Sequence, residues 1–247
     1  MSGHSKWATI HRQKEVKDAK KGAIFTKLGA MIVVAVRQGG GIGDPEKNFR
    51  LRLVMDQARQ CNMPKENISR AIEKGMGGAG DNDLIEMMYE GFLPGGVAVM
   101  IQVMTDNKAR TVQQVRMVLE KHGGTLASSG AVGYMFSPKE EIYIKLAEGD
   151  PKTPEEHELE IIDMPGVEDI EVDREGISVY CDKDKILPLK TKLEESKYLI
   201  ESIDLIMKPE TVMKIADEQI QSKIEETLNA LEELDDVAHV FTSYVPE

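Results

Sequence analysis

Lys6, Trp7, His11, Arg12, Lys14, Lys17, Lys20 and Lys21 crowd into the first twenty-one residues of the chain. Cations at this density neutralise phosphates and release their counterions, and an indole among them offers a flat face on which any base can stack. Trp7 is the only tryptophan, and few large apolar residues surround it. Its ring has two readings of equal weight, stacking on a partner or anchoring in its own bundle. Lys27, Arg50, Arg52, Lys65 and Arg70 extend the basic set. Arg50 and Arg52 stand two apart on a helix, so they do not share a face, and one of them is free to serve an internal acid. The other residues capable of chemistry make no catalytic pattern. Gly39–Gly43 and Gly75–Gly80 match neither a phosphate-loop nor a dinucleotide spacing. The five histidines, His4, His11, His122, His157 and His239, are scattered, with no HxxxH or CxxC, so neither a metal nor another cofactor is expected. Ser128-Ser129-Gly130 is no nucleophile elbow. Acidic pairs such as Glu155-Glu156 and Asp235-Asp236 sit at turns and helix ends, where capping explains them. The expectation is a binding protein, not an enzyme.

Charge distribution sharpens that expectation. The chain has 247 residues, 31 basic and 43 acidic, for a net charge of −12. Residues 1–74 hold fifteen of the basic residues and only seven acids, a net of +8, while the rest nets −20. A basic segment on an acidic body points to a polyanionic partner for that segment. Two cysteines far apart, Cys61 and Cys181, make no disulfide framework and suit a reducing compartment. The longest apolar run, Ala30–Val36, is too short to span a membrane. The first residues lack the features of a secretory signal or an arginine-rich presequence. A cytoplasmic protein with no membrane partner is expected; the sequence assigns no oligomeric state.

Periodicity supplies the elements that position these residues. After a mostly exposed arm, a helix is predicted over 22–38, ended by Gly39-Gly40-Gly41. Asp44-Pro45 predicts the start of a second helix reaching Gln60, and Asn62-Met63-Pro64 a third over 64–74, ended by the glycines of a hinge at 75–80. Strands are predicted at 84–89 and 97–104 around Leu93-Pro94-Gly95-Gly96, then a helix over 108–121 capped from Thr105-Asp106-Asn107. Ala131–Phe136 and Glu141–Leu146 read as two strands. From 141 the order strand, helix 153–163, strands 168–173 and 177–182 joined by a hairpin at 174–176, helix 184–195 and strand 199–207 is βαββαβ, the ferredoxin-like arrangement. A long acidic helix over 212–234 and a strand at 237–242 close the chain and are free to pair with the 84–122 region. The fold class is α+β and multidomain: a basic arm and helical bundle over 1–78, an α+β middle domain from 79–137 plus 208–247, and an inserted ferredoxin-like domain over 138–207.

Ser2-Gly3-His4-Ser5-Lys6-Trp7 resembles the opening of the YebC family. The resemblance continues through Asp44-Pro45, Arg50-Leu51-Arg52, Asn62-Met63-Pro64-Lys65 and Arg70-Ala71-Ile72. It then takes in Glu90-Gly91, Pro94-Gly95-Gly96-Val97-Ala98-Val99, Thr105-Asp106-Asn107 with Arg110-Thr111, and Gly123-Gly124 before Phe136. Lys139-Glu140-Glu141 departs from the family's usual Lys-Gly, which would alter a hairpin turn there. The resemblance implies the same three domains and a non-enzymatic role in gene expression. Some members are described as DNA-binding transcriptional regulators and others as translational activators on the ribosome. An acidic body with one basic arm favours the ribosome, with rRNA or tRNA as partner. Helix 64–74, carrying Lys65, Asn67, Arg70 and Lys74, keeps a DNA groove open as the alternative, and a protein-interaction scaffold using the acidic C-terminal domains is a third.

Overall fold

The structure, a computed structural model, describes residues 21–77, 84–147, 150–172 and 176–246. Helix α1 (Lys21–Gln38) buries five successive residues, Ile32 to Val36. A stretch of helix buried all round must be wrapped on all sides. Helices α2 (Phe49–Gln60) and α3 (Lys65–Gly75) supply Leu51, Val54, Met55, Ala58, Ile68 and Ala71 around it, forming the helical bundle. Gly75 marks the closest approach of α3 to α1: a Cβ there would lie 2.7 Å from that of Val36. The first turn of α2 departs from the Asp44-Pro45 expectation. Asp44 closes a single turn, its carbonyl accepting from the N–H groups of Lys47 and Asn48 at 3.0 Å. The cap is Asn48, whose Oδ1 accepts from the Leu51 N–H at 3.1 Å and whose amide donates to the Ala35 and Ile42 carbonyls. One buried side chain thus opens α2 and satisfies the end of α1.

Two four-stranded sheets follow. The first, ordered β3-β1-β2-β9, comprises β1 (Ile85–Phe92), β2 (Ala98–Thr105), β3 (Thr125–Leu126) and β9 (Val237–Thr242). The β1–β2 turn places Gly95 and Gly96 both at φ +78°, which glycine adopts without strain. Strand β2 is buried along its whole length because both faces are covered. Val99, Ile101 and Val103 meet helices α4 (Lys108–Lys121) and α7 (Glu218–Glu232), while Ala98 and Met100 meet the second sheet.

That second sheet, ordered β5-β6-β4-β7, is the βαββαβ unit of β4 (Phe136–Lys145), α5 (Pro154–Ile162), β5 (Asp169–Val172), β6 (Gly176–Cys181), α6 (Ile186–Glu195) and β7 (Leu199–Pro209). Its strand order is ferredoxin-like. Ile161, Ile186, Leu189 and Leu193 cover one face. Phe136, Tyr180 and Ile206 on the other pack against Ala98, Met100 and Phe241 of the first sheet. The layers therefore run helix, sheet, sheet, helix. A short parallel pair, β8 (Met213–Ile215) with β10 (Tyr244–Pro246), completes the architecture.

Three sequence expectations change. Residues 131–146 hold one strand, not two: Gly133–Met135 is a 3₁₀ turn and β4 then runs unbroken from Phe136. Lys139-Glu140-Glu141 consequently lies mid-strand and makes no hairpin. The helix expected from 212 begins only at Glu218, after Asp217 caps it with bonds from the Gln219 and Ile220 N–H groups, because Met213–Ile215 finds a strand partner at the chain's end. The turn expected at 174–176 falls mostly outside the described residues.

Candidate nucleic-acid interface

Of the basic residues singled out above, Lys6, Trp7, His11, Arg12, Lys14, Lys17 and Lys20 lie outside the described residues, and Lys21 opens α1. The others divide by what they touch. Lys27 turns inward and donates to the Glu232 carbonyl at the C-terminal end of α7. Burial holds its pKa below the usual lysine value, against the opposing pull of Glu232, Asp235 and Glu233. Arg50 donates from one guanidinium nitrogen, Nη2, to both carboxylate oxygens of Glu86 on β1, at 2.9 and 3.0 Å, and so fastens the bundle to the first sheet. Burial alone would raise the Glu86 pKa, but the bonds from Arg50, Gln38 and Gln102 overcome it and leave the carboxyl below its ordinary range. Arg50 is therefore the member of the 50/52 pair that serves an internal acid. Arg52 donates to Glu46 at 2.9 Å and to the Pro45 carbonyl at 3.1 Å, at the surface. Lys65 and Arg70 are exposed on α3, with no ion-pair partner among the described residues.

The structure thus separates cations that hold domains together, Lys27 and Arg50, from cations open to a partner, Lys65 and Arg70. Between α2 and the βαββαβ unit lies a cleft of about 320 Å³, with Phe49, Leu53 and Ile203 at its floor. Arg52, Arg59 and Lys190 border it, each near an acid: Glu46, Asp56 and Glu194. Its charges balance within the protein.

Residues 105–111 form a clasp. Asn107 caps α4 through the Arg110 N–H at 3.0 Å. Arg110 donates to Asp106 at 3.0 Å and to both oxygens of Asp236 at 2.8 and 3.1 Å, and Thr111 donates to Asp236 at 2.6 Å. These contacts tie the start of α4 to the turn between α7 and β9. A second device orders the loop before β4. Glu90, buried on β1, accepts from the backbone N–H groups of Gly130, Val132 and Gly133, each at 2.7 Å. Burial pushes its pKa up, and the N–H groups more than reverse this.

The cations of α4 escaped the sequence reading. Helix α4 exposes Lys108, Arg116 and Lys121 beside Gln113, Gln114 and Met117. The signal was present as a local excess of four basic residues over one acid in α4, hidden by the acidic average around it. Among the described residues no group of His, Cys, Asp and Glu could hold a metal ion, and no helix is long and apolar enough to cross a membrane.

Comparison with known proteins agrees over nearly the whole length. The chain is 43% identical over 246 residues, covering 99% of both chains, to the probable transcriptional regulatory protein YrbC of Bacillus subtilis. It is 43% identical over 244 residues to a probable transcriptional regulatory protein of Thermotoga petrophila, covering 99% of this chain and 94% of the relative. A crystal structure of a conserved hypothetical protein from Aquifex aeolicus superposes with a TM-score of 0.83 at 40% identity, over 93% of this chain and 92% of that one. Residues 5–78 match the model for the TACO1/YebC protein N-terminal domain, and residues 84–244 that for the TACO1/YebC second and third domain. With two family models spanning its bundle and both sheets, this chain belongs to the TACO1/YebC family.

Proposed function

We propose that the protein is a non-enzymatic, cytoplasmic regulator of gene expression whose basic N-terminal segment contacts RNA on the ribosome. The observation that supports this most is the partition of charge, +8 over residues 1–74 against −20 over the remainder. An acidic body is repelled by naked polyanion along most of its surface, while a short cationic segment with one indole suits phosphates and unstacked bases within an RNA-rich site. The family places the chain among relatives named as probable transcriptional regulators, which supports a role in gene expression. A DNA operator is the second reading, favoured by α3, which exposes Lys65 and Arg70 one and a half turns apart.

The deciding experiment compares ribosome co-sedimentation with promoter-fragment binding for full-length variants. Lys6→Ala and Arg12→Ala should each weaken ribosome association by about 1.5–3 kcal/mol, as for hydrogen bonds to charged groups. Trp7→Ala should cost roughly 1–3 kcal/mol if the ring stacks on a base. Normal sedimentation together with lost, sequence-selective promoter binding would overturn the ribosomal reading in favour of the operator.

A further inference from the structure

His157 is buried in the first turn of α5, where its ring sits in a row of polar groups drawn from three segments. Its Nδ1 lies 3.2 Å from the hydroxyl of Tyr198, the residue before β7, and the two rings meet edge-on. Tyr198 in turn donates to Glu160 at 3.0 Å. Glu160 is an acceptor only: Lys152 binds both its oxygens, at 2.5 and 2.8 Å, and holds its pKa below the ordinary glutamate range. On the other side of the imidazole, Nε2 has no hydrogen-bond partner among the described residues, and Asp150 Oδ2 faces it at 3.4 Å. Asp150 is ionised too, held below its usual range first by the Lys152 N–H, which donates to Oδ1 at 2.9 Å. The strands beneath α5 bring the apolar side chains Ile170, Val172, Ile177 and Val179. Asp169 and Glu171 of β5 turn instead toward Lys208, and Glu156 is engaged by Thr153 in the helix cap. The charged groups facing His157 are therefore Asp150, Glu160 and Lys152.

One arrangement of protons satisfies this row. The Tyr198 hydroxyl has a single hydrogen, and burial with Glu160 beside it pushes its pKa up to about 12, so the hydrogen stays. Glu160 must receive it, because two bare oxygens at 3.0 Å would repel. The phenol oxygen then accepts from His157, which places a hydrogen on Nδ1. A neutral imidazole has only that one hydrogen, so it would turn the bare Nε2 lone pair toward a carboxylate in a site where His157 is 7% exposed. A second hydrogen on Nε2 gives Asp150 a donor and completes the row. We propose that His157 is a proton-operated latch in the inserted unit: as the imidazolium it ties the turn 150–153 and the start of β7 to α5, and loss of the Nε2 proton releases Asp150. Histidine is the side chain whose charge ordinarily changes between about pH 5 and pH 8. The contribution of the pair is present where the imidazole is charged and Asp150 ionised, and is lost as pH rises through neutrality. Release acts on one end of the unit, the capped start of α5 and Tyr198, while the core of Ile142, Val179 and Leu193 stays closed. The latch does not depend on which nucleic acid the protein meets.

The test is made on the full chain, by nitrogen-15 NMR of the histidine rings and amide protection factors at about pH 5.5 and about pH 8.5. At the lower pH both ring nitrogens of His157 should carry hydrogen. At the higher pH Nε2 should be bare with Nδ1 still protonated, and protection at Lys152, His157 and Tyr198 should fall about fivefold relative to α6. In the variant Asp150→Asn the side-chain oxygen can still accept from the Lys152 N–H while the amide donates to a bare Nε2. That variant should keep its protection alike at both pH values. Glu140→Gln should leave the pH effect intact, since the charged neighbours of Glu140 are Lys183, Asp204 and Arg50. A neutral His157 at the lower pH, or hydrogen on Nε2 alone at the higher, would overturn the proposal. So would a pH effect that survives in Asp150→Asn or disappears in Glu140→Gln.

Discussion

A carboxylate buried in a β-strand is costly unless something answers its charge, and three glutamates on two strands show how. Glu86 is met by the Arg50 guanidinium and Glu90 by a row of backbone N–H groups, and both stay below the ordinary carboxylate range. Glu140, on β4 opposite Cys181 and Leu205, is 3% exposed, and its Oε2 has no hydrogen-bond partner among the described residues. Burial, with Asp204 adding to it, pushes its pKa up to about 6 against the pull of Lys183 and Arg50. The same burial, reinforced by Glu140, raises the Cys181 thiol to about 12, so that cysteine stays protonated. Because the folded state holds the Glu140 proton more tightly than the unfolded state, stability should fall as pH rises from the ordinary glutamate value through about 6. Glu140→Gln should therefore stabilise the protein at pH 7 by up to about 2 kcal/mol, with the gain vanishing near pH 4. Urea titrations of both proteins across that range check this; a loss of stability at pH 7 would show that the carboxylate is needed. The i,i+2 spacing of Arg50 and Arg52 showed that they do not share a face and left one of them free to serve an internal acid. Glu86 as the acid was not legible, since it lies thirty-six residues away and only the sheet brings it near.

At the scale of elements, the Asp236 clasp ties the start of α4 to the turn before β9. Replacing Asp236 by Ala removes the acceptor shared by Arg110 and Thr111 and frees the start of α4 from the turn before β9. The expected cost is about 1–3 kcal/mol, read as a lower urea midpoint, with faster amide exchange confined to α4 and β9. Uniform exchange throughout the chain would mean that the clasp does not act locally. The Thr105-Asp106-Asn107 signal was readable as a cap, and α4 begins where that predicts. Its link to Asp236 was not, because the partner lies over a hundred residues away. The misread elements share one physical cause. Residues 213–215 carry a helical pattern and still form a strand, because a parallel partner at 244–246 offers hydrogen bonds that periodicity cannot see. The gap expected between strands at 131–141 closes for a related reason: β7 pairs with β4 along its whole length, from Phe136 to Lys145. Asp44-Pro45 has the residue types of a helix start, but Asn48 reaches both the free Leu51 N–H and the Ala35 carbonyl of α1.

For the whole molecule we propose three units, residues 1–78, 79–137 with 208–247, and 138–207. A core centred in each unit supports this division, with a fourth apolar cluster joining the two sheets. Residues 138–207 expressed alone should unfold cooperatively and keep the βαββαβ hydrogen-bond pattern by amide exchange, since Ile142, Val179, Leu189 and Leu193 bury one another within that segment. A non-cooperative transition would show that the unit depends on Phe49 and Leu53 of α2, which also pack on its core. The pairing of Phe136 with Pro209 brings the entry and exit of the unit side by side, and this bears on the order of assembly during synthesis. Strands β1 and β2 leave the exit tunnel long before β9, which completes their sheet beside β2. The inserted unit can finish folding while the domain that hosts it waits with an open edge. The nascent chain is thus most exposed to misassociation along β2, and that interval lengthens with every residue added between Phe136 and Pro209.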